Sequence, residues 1–320
     1  MGVQPLVGGN GAGGAGDDGP VRVIVSRHIE ATEGGVRLDA ALLKEFPSSS
    51  RALVREAIED GRVTVNGRTA VKGLKLRGGE RIEVAELAET KDITVLPDPK
   101  VKVKRIFEDE WLLAFDKPAG QSVQPLSRKE TGTLMNGVVA RYPECANVGD
   151  QPLMAGALHR IDTGTSGLVL AARTQEAFDG LRSQFAAQAV EKTYLALVEG
   201  AVAAGATLEH DLTQDRRLPY CKMIPGGKLH AVTSFTPIKH LTVENEARTL
   251  LEVKIFTGVT HQIRAQLALA GMHIVNDRLY GAFAVENMTG HALHALAAKF
   301  VHPVLHQPVE IRTPYPHWAL

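Results

Sequence analysis

Nine residues, His159-Arg160-Ile161-Asp162-Thr163-Gly164-Thr165-Ser166-Gly167, concentrate the groups of this chain best suited to chemistry. A single carboxylate follows a His-Arg pair and enters a Gly-Thr-Ser-Gly turn. In extended backbone alternate side chains share a side, so Arg160 and Asp162 point together. Gly164 and Gly167 allow a sharp bend just beyond the acid, and Leu168-Val169-Leu170-Ala171-Ala172 reads as a buried strand. An acid at the mouth of such a strand can attack a sugar carbon, as the nucleophile of a retaining glycosidase does. It can also be a structural Asp that caps its own turn. A glycosidase or nucleosidase would want a second carboxylate beside the first, and the sequence offers no obvious partner for Asp162.

Four further stretches accompany this one in order along the chain: Asp116-Lys117-Pro118-Ala119-Gly120, Glu191-Lys192-Thr193-Tyr194, Thr257-Gly258-Val259-Thr260-His261-Gln262-Ile263-Arg264 and Leu293-His294-Ala295. The segment around Asp162 resembles the RNA pseudouridine synthases of the RluA type, whose hallmark is His-Arg-Leu-Asp-x-x-Thr-Ser-Gly. The other stretches resemble the same family, over about residues 105 to 320. The resemblance implies cleavage of the bond between ribose carbon 1′ and uracil nitrogen 1, rotation of the base, and reattachment through carbon 5. Nothing is oxidised or hydrolysed overall, so no cofactor is implied. Asp162 takes the role of nucleophile, through a sugar ester or by way of a glycal. Arg264 takes that of its ion-pair partner, and Tyr194 stacks on the uracil. His159, Arg160, Thr165, Ser166, His261 and Gln262 fall among the substrate-binding residues.

The local sequence leaves other readings of these groups open. A nucleophilic carboxylate must stay ionised where water is excluded, and a nearby cation favours that form. On a helix starting near Thr260, His261 and Arg264 share one face while Ile263 and Leu267 pack inward; Arg264 can equally be a surface charge. A lone Tyr in a strand is usually core, and a free phenol, with its pKa about 10, needs a local shift to act as a base. Leu168, Leu170 and Ile263 suit the floor beneath a uracil or ordinary core. Arg160 suits the space vacated by a flipped uridine, or a phosphate. Two positions depart from the family pattern: Val259 stands where an Arg is usual, and Gln124 where a His is common.

The elements expected to carry these residues divide the 320-residue chain. Residues 1–20, rich in Gly, read as a disordered tail. Their Gly9-Asn10-Gly11-Ala12-Gly13-Gly14 follows no strand and is not a nucleotide loop. Val21–Val25 suits a strand. Between residues 36 and 86 the pattern predicts a helix from Arg37, a Ser48-Ser49-Ser50 cap, and a second helix from Arg51 to Asp60 ended by Gly61. A Val63–Gly67 hairpin and a strand through Val84 follow. This order resembles the alpha-L RNA-binding motif, so residues 21–90 form the expected RNA-binding domain. Arg51 and Arg55 lie one turn apart, with Arg62, Arg68 and Lys72 close behind. Such a cluster can track phosphates or simply form a solvated face. Residues 91–104 read as a linker, and 105–320 as an α+β catalytic domain with a mixed, largely antiparallel sheet.

Composition narrows the class. Thirty-six basic and 36 acidic residues balance, so any RNA-binding surface must be local. Cys145 and Cys221 form no CxxC pair, and the His291, His294, His302 and His306 series lacks a convincing ligand set, so no metal site is expected. No apolar run reaches the length of a membrane span and no signal-peptide core is present, which makes the cytoplasm the expected compartment. The expected partner is RNA: ribosomal RNA foremost, transfer RNA as the alternative, with no obligate protein partner. A noncatalytic ribosome-assembly factor on the same scaffold is the reading of another class.

Overall fold

A computed structural model of the chain describes residues 27–30, 34–88, 93–218, 220–243 and 245–320. The expected tail at 1–20 and strand at 21–25 lie outside them. The chain forms two compact units that divide between Ile93 and Thr94.

The first unit holds β1 (Arg27–Glu30), α1 (Leu38–Glu45), α2 (Arg51–Glu59), β2 (Val63–Val65), β3 (Arg68–Thr69) and β4 (Arg81–Val84). The strands form a sheet in the order β1-β4-β2-β3. Ser50 begins α2 because its hydroxyl accepts the Leu53 N–H, satisfying a donor the helix leaves open. Leu53, Val54, Ala57 and Ile58 form the buried face of α2, which leaves Arg51 and Arg55 exposed.

In the second unit the elements run β5 (Arg105–Glu108), β6 (Leu112–Lys117), α3 (Leu134–Arg141), β7 (Ser166–Ala172), α4 (Gln175–Ala186), β8 (Glu191–Glu199), β9 (Ala206–Gln214), β10 (Met223–Pro225), β11 (Leu229–Val243), β12 (Glu246–Ile255), α5 (Gln262–Leu269), β13 (Leu293–Val301) and β14 (Pro308–Arg312). Their sheet runs β10-β9-β11-β12-β8-β13-β7-β6-β5, with β14 also on β13. Every pairing is antiparallel except β13 with β7. That parallel pair brings His294 beside Ser166 and Ala295 beside Gly167. Gly167 is required there: its φ is +108°, and a Cβ would sit 2.2 Å from the Ala295 carbonyl oxygen.

Residues 94–104 are not a free linker. Val95 and Val103 are buried in the core of the second unit. The Asn136 side-chain amide donates to Leu96 O at 2.7 Å, and the Asp98 N–H donates to Asn136 O at 2.9 Å. Burial of those two valines ties the segment down, despite its prolines and charges.

Candidate active site

Asp162 opens the turn that precedes β7. The turn is closed by backbone, with the Thr165 N–H donating to Asp162 O at 3.0 Å. The side chain does not cap it: Oδ2 instead accepts from Arg264 Nη1 at 2.8 Å. Three neighbours pin the turn from outside. The Gly120 N–H donates to Thr163 O at 2.7 Å and the His291 N–H to Gly164 O at 3.2 Å. The buried Lys117 ammonium donates to Pro118 O at 2.8 Å, Gln121 O at 2.7 Å and Thr163 O at 3.4 Å. Burial pushes Lys117 down to about 8, against the pull of Asp162.

Arg264 sits on the buried side of α5, only 7 % exposed, which rules out a surface charge. Its guanidinium is shared between two carboxylates. Nε and Nη2 donate to Asp277 Oδ2 and Oδ1 at 2.7 and 2.9 Å, leaving Nη1 for Asp162. Burial disfavours the charge, but hydrogen bonding to Asp277 and the charge of Asp162 outweigh it, so the net push on Arg264 is upward. The Tyr280 ring lies under the guanidinium, 5.1 Å from its centroid, and the Tyr280 hydroxyl lies 3.1 Å from His261 Nδ1. His261 in turn brings Nε2 to 3.9 Å from Asp162 Oδ2.

The helix expected from Thr260 begins at Gln262, because His261 is left-handed with φ 52°. Gln262 lines the cavity around Asp162, and its amide is engaged with the protein. Its Oε1 accepts from the Val259 N–H at 3.1 Å and the Thr257 hydroxyl at 2.9 Å, while Nε2 donates to Val232 O at 2.9 Å and Thr233 Oγ1 at 3.1 Å. It braces the start of α5. Ser166, by contrast, does not line that cavity. It points to the other face of the sheet, where its hydroxyl lies 2.8 Å from His294 Nδ1, because alternation along β7 puts neighbours on opposite sides.

The remaining groups line one cavity of about 810 Å³ around Asp162. Tyr194, on β8 opposite Val253 and Ala295, is 8 % exposed. Burial, then the charge of Asp162, pushes its phenol upward, away from use as a base near neutrality. Arg160 is exposed and lines the cavity with Asp162. Thr165 is buried, with Oγ1 2.8 Å from His291 Nε2; burial pushes His291 down to about 4. His159 Nε2 accepts the Leu170 N–H at 3.1 Å. Burial and the nearby Lys192 push that ring down to about 3, so it is neutral and carries its proton on Nδ1. Ile255, Ile263 and Leu293 supply apolar wall. Leu168 and Leu170 do not line the cavity; they belong to the core. Both departures from the family pattern, Gln124 and Val259, line it.

The histidine series does not converge. His291 faces Thr165, His294 lies between Ser166 and Thr313, and His302 faces Asp109. Among the described residues no group of three His, Cys, Asp or Glu could hold a metal ion, and no helix is long and apolar enough to cross a membrane. In the first unit Arg62 is turned to Asp60 at 2.9 Å, with Glu56 and Glu86 at 3.7 and 3.9 Å. Lys72 pairs with Glu59 at 3.1 Å. Arg51, Arg55 and Arg68 are exposed. Asp277, Tyr280, Lys117 and His291 are the site residues that sequence reasoning missed. The one available signal was that a buried guanidinium with five donors needs more than a single carboxylate.

An acid–arginine pair thus stands beside a buried tyrosine on a mixed sheet, and a separate small module exposes three arginines. Residues 112–269 match the family described as RNA pseudouridylate synthase, and residues 36–82 match the S4 domain. A protein of Xanthomonas campestris, called ribosomal large subunit pseudouridine synthase D, is 35% identical over 301 residues, covering 90% of this chain and 88% of its own. A Bacillus subtilis protein called uncharacterized RNA pseudouridine synthase YlyB is 30% identical, covering 88% and 90%. The chain belongs to the RNA pseudouridine synthase family. A solved structure of human RNA pseudouridylate synthase domain containing 1 shares the fold, with a TM-score of 0.53 at 21% identity, covering 69% of this chain and 86% of that one.

Proposed function

We propose that this enzyme converts uridine to pseudouridine in large-subunit ribosomal RNA, with Asp162 as the nucleophile. The observation that carries the reading is the 2.8 Å Asp162–Arg264 pair in a cavity that also holds Tyr194. In this reading a carboxylate oxygen of Asp162 bonds to ribose carbon 1′ as the bond to nitrogen 1 breaks, and the electron pair leaves with the uracil. The base turns against Tyr194, and carbon 5 displaces the carboxylate from carbon 1′. The proton on carbon 5 is lost and nitrogen 1 gains one, so the sum is an isomerisation that needs no cofactor. Arg264 holds the carboxylate oriented throughout.

The choice of ribosomal RNA rests on the names of the relatives in Xanthomonas campestris and Escherichia coli, both called ribosomal large subunit pseudouridine synthase D. Phosphate contact is assigned to Arg51, Arg55 and Arg68, the exposed arginines of the small module. Arg160, at the exposed side of the cavity, is assigned to the flipped nucleotide or its phosphate. A ribosomal RNA substrate supports a cytoplasmic location. The test is release of tritium from RNA labelled at carbon 5 of its uridines, with ribosomal and transfer RNA assayed separately. Release from ribosomal RNA is expected, with a loss of at least ~1000-fold in Asp162→Asn at an unchanged melting temperature. Release that survives in Asp162→Asn refutes the mechanism, and release from transfer RNA alone refutes the substrate.

A further inference from the structure

Arg264 divides its donors unequally. Asp277, 2 % exposed, takes the two-donor edge with both carboxylate oxygens. Asp162 receives one N–H on Oδ2, and its Oδ1 has no hydrogen-bond partner among the described residues. A guanidinium and a carboxylate left to themselves prefer the doubly bonded fork, which ties up both oxygens. A carboxylate held that way has both oxygens engaged in charge-assisted hydrogen bonds, which draw charge from whichever oxygen would meet an electrophile.

From this geometry we infer that Asp277 is a positioning residue for the isomerisation, acting through Arg264. By occupying the two-donor edge, it confines Arg264 to a single bond with Asp162 and leaves Asp162 Oδ1 free as the attacking atom. The Tyr280 ring, 5.1 Å from the guanidinium, supports the same orientation from below. Asp277 lies 13 residues beyond Arg264, outside α5, so its place on this edge is set by the loop after the helix. The assignment rests on the reading of Asp162 as nucleophile, and it explains a second buried carboxylate that never meets the sugar.

The experiment compares kcat and KM for tritium release in wild type, Asp277→Asn, Arg264→Lys and the double variant. Asp277→Asn leaves Arg264 paired with Asp162, so no buried charge is orphaned, and a melting curve checks the fold. Its amide has one acceptor oxygen in place of two, so the two-donor fork on that edge is broken. The kcat is expected to fall about 30-fold, the order of a misplaced reacting group, with KM within twofold of wild type. Lysine has no fork to divide, so in the Arg264→Lys background the same Asp277→Asn change is expected to cost less than threefold. A merely structural Asp277 would cost the same in both backgrounds. A folded Asp277→Asn with wild-type kcat, or an equal loss in both backgrounds, overturns the inference. Where Asp277→Asn does not fold, Asp277→Glu keeps the charge but displaces it by one methylene. A fivefold loss of kcat is then expected, and wild-type kcat overturns the inference. Wild type without release from any RNA refutes the proposed function itself, a result distinct from all of these.

Discussion

Replacing Lys117 by Met is expected to disable the enzyme while barely unfolding it at neutral pH. Lys117 is fully buried, and its ammonium makes two short bonds to Pro118 O and Gln121 O, at 2.8 and 2.7 Å, with a longer one to Thr163 O at 3.4 Å. Met fills similar space, so no large cavity opens. Two strongly bonded carbonyls lose their donor, at about 1–3 kcal/mol each. Against this, burial lowers Lys117 from 10.5 to about 8, so carrying the charge at neutral pH costs the fold about 3 kcal/mol. The two effects oppose each other, and the net change at pH 7 is expected within about 3 kcal/mol. The sign of the pH dependence follows. The cost of the charge is fully present below the folded value and fades as pH rises toward the unfolded one. Wild type therefore gains stability between about pH 8 and 10.5, and the variant does not. Urea titrations at pH 7 and pH 10 are expected to show the variant falling further behind wild type at the higher pH. At pH 7 kcat is expected to drop at least ~10-fold, because Thr163, next to Asp162, loses one of its anchors. A folded variant with wild-type kcat, or a stability gap that narrows with pH, would refute this reasoning.

Four other perturbations test the site and the module. With its phenol pushed upward, Tyr194 stays protonated, so the pH profile of kcat is expected to show no limb from a tyrosine between about pH 7 and 9; such a limb, absent in Tyr194→Phe, would restore a base role. Arg160→Ala is expected to slow turnover of structured RNA at an unchanged melting temperature, and an unchanged rate removes Arg160 from base flipping. Replacing Arg51, Arg55 and Arg68 together by Ala is expected to flatten the slope of log affinity against log salt by about 2–3. Replacing Arg62 and Lys72, already paired to carboxylates, is expected to change that slope by less than 1; equal effects would show that the module grips RNA through the whole cluster.

What could be read from sequence was what neighbours in sequence decide. Ser50 as a cap, the turn at Asn66-Gly67, the bend at Gly164 and the strand after it follow from local backbone preferences. The Asp162–Arg264 pair was legible because both ends sit in recognisable motifs. Asp277 was not: its partner is chosen by a loop path, and Asn276-Asp277 by itself reads as a turn. Lys117 lay within a quoted motif, yet nothing local says that a lysine will be buried whole. Ser166 falls outside the cavity, and the Gln262 amide braces backbone at its edge. Motif membership does not tell a side chain that lines a cavity from one that braces the backbone beside it. The segment at 94–104 looked like a spacer because its prolines and charges outweighed Val95 and Val103, whose burial depends on a core assembled much later in the chain.

The distance in sequence between the two halves of the site has a consequence for how the protein matures. Asp162 and Arg264 are 102 residues apart, and the Ser166–His294 contact beside the parallel pair spans 128. Helices such as α3 and α4 form from neighbouring residues on fast timescales, whereas strands that must close such long loops join late. Asp162 therefore meets Arg264 only once a loop of 102 residues has closed. A partly folded chain can be rich in secondary structure and still have no chemistry to perform, so a nascent chain whose RNA-binding module is already complete can hold RNA before it can alter it.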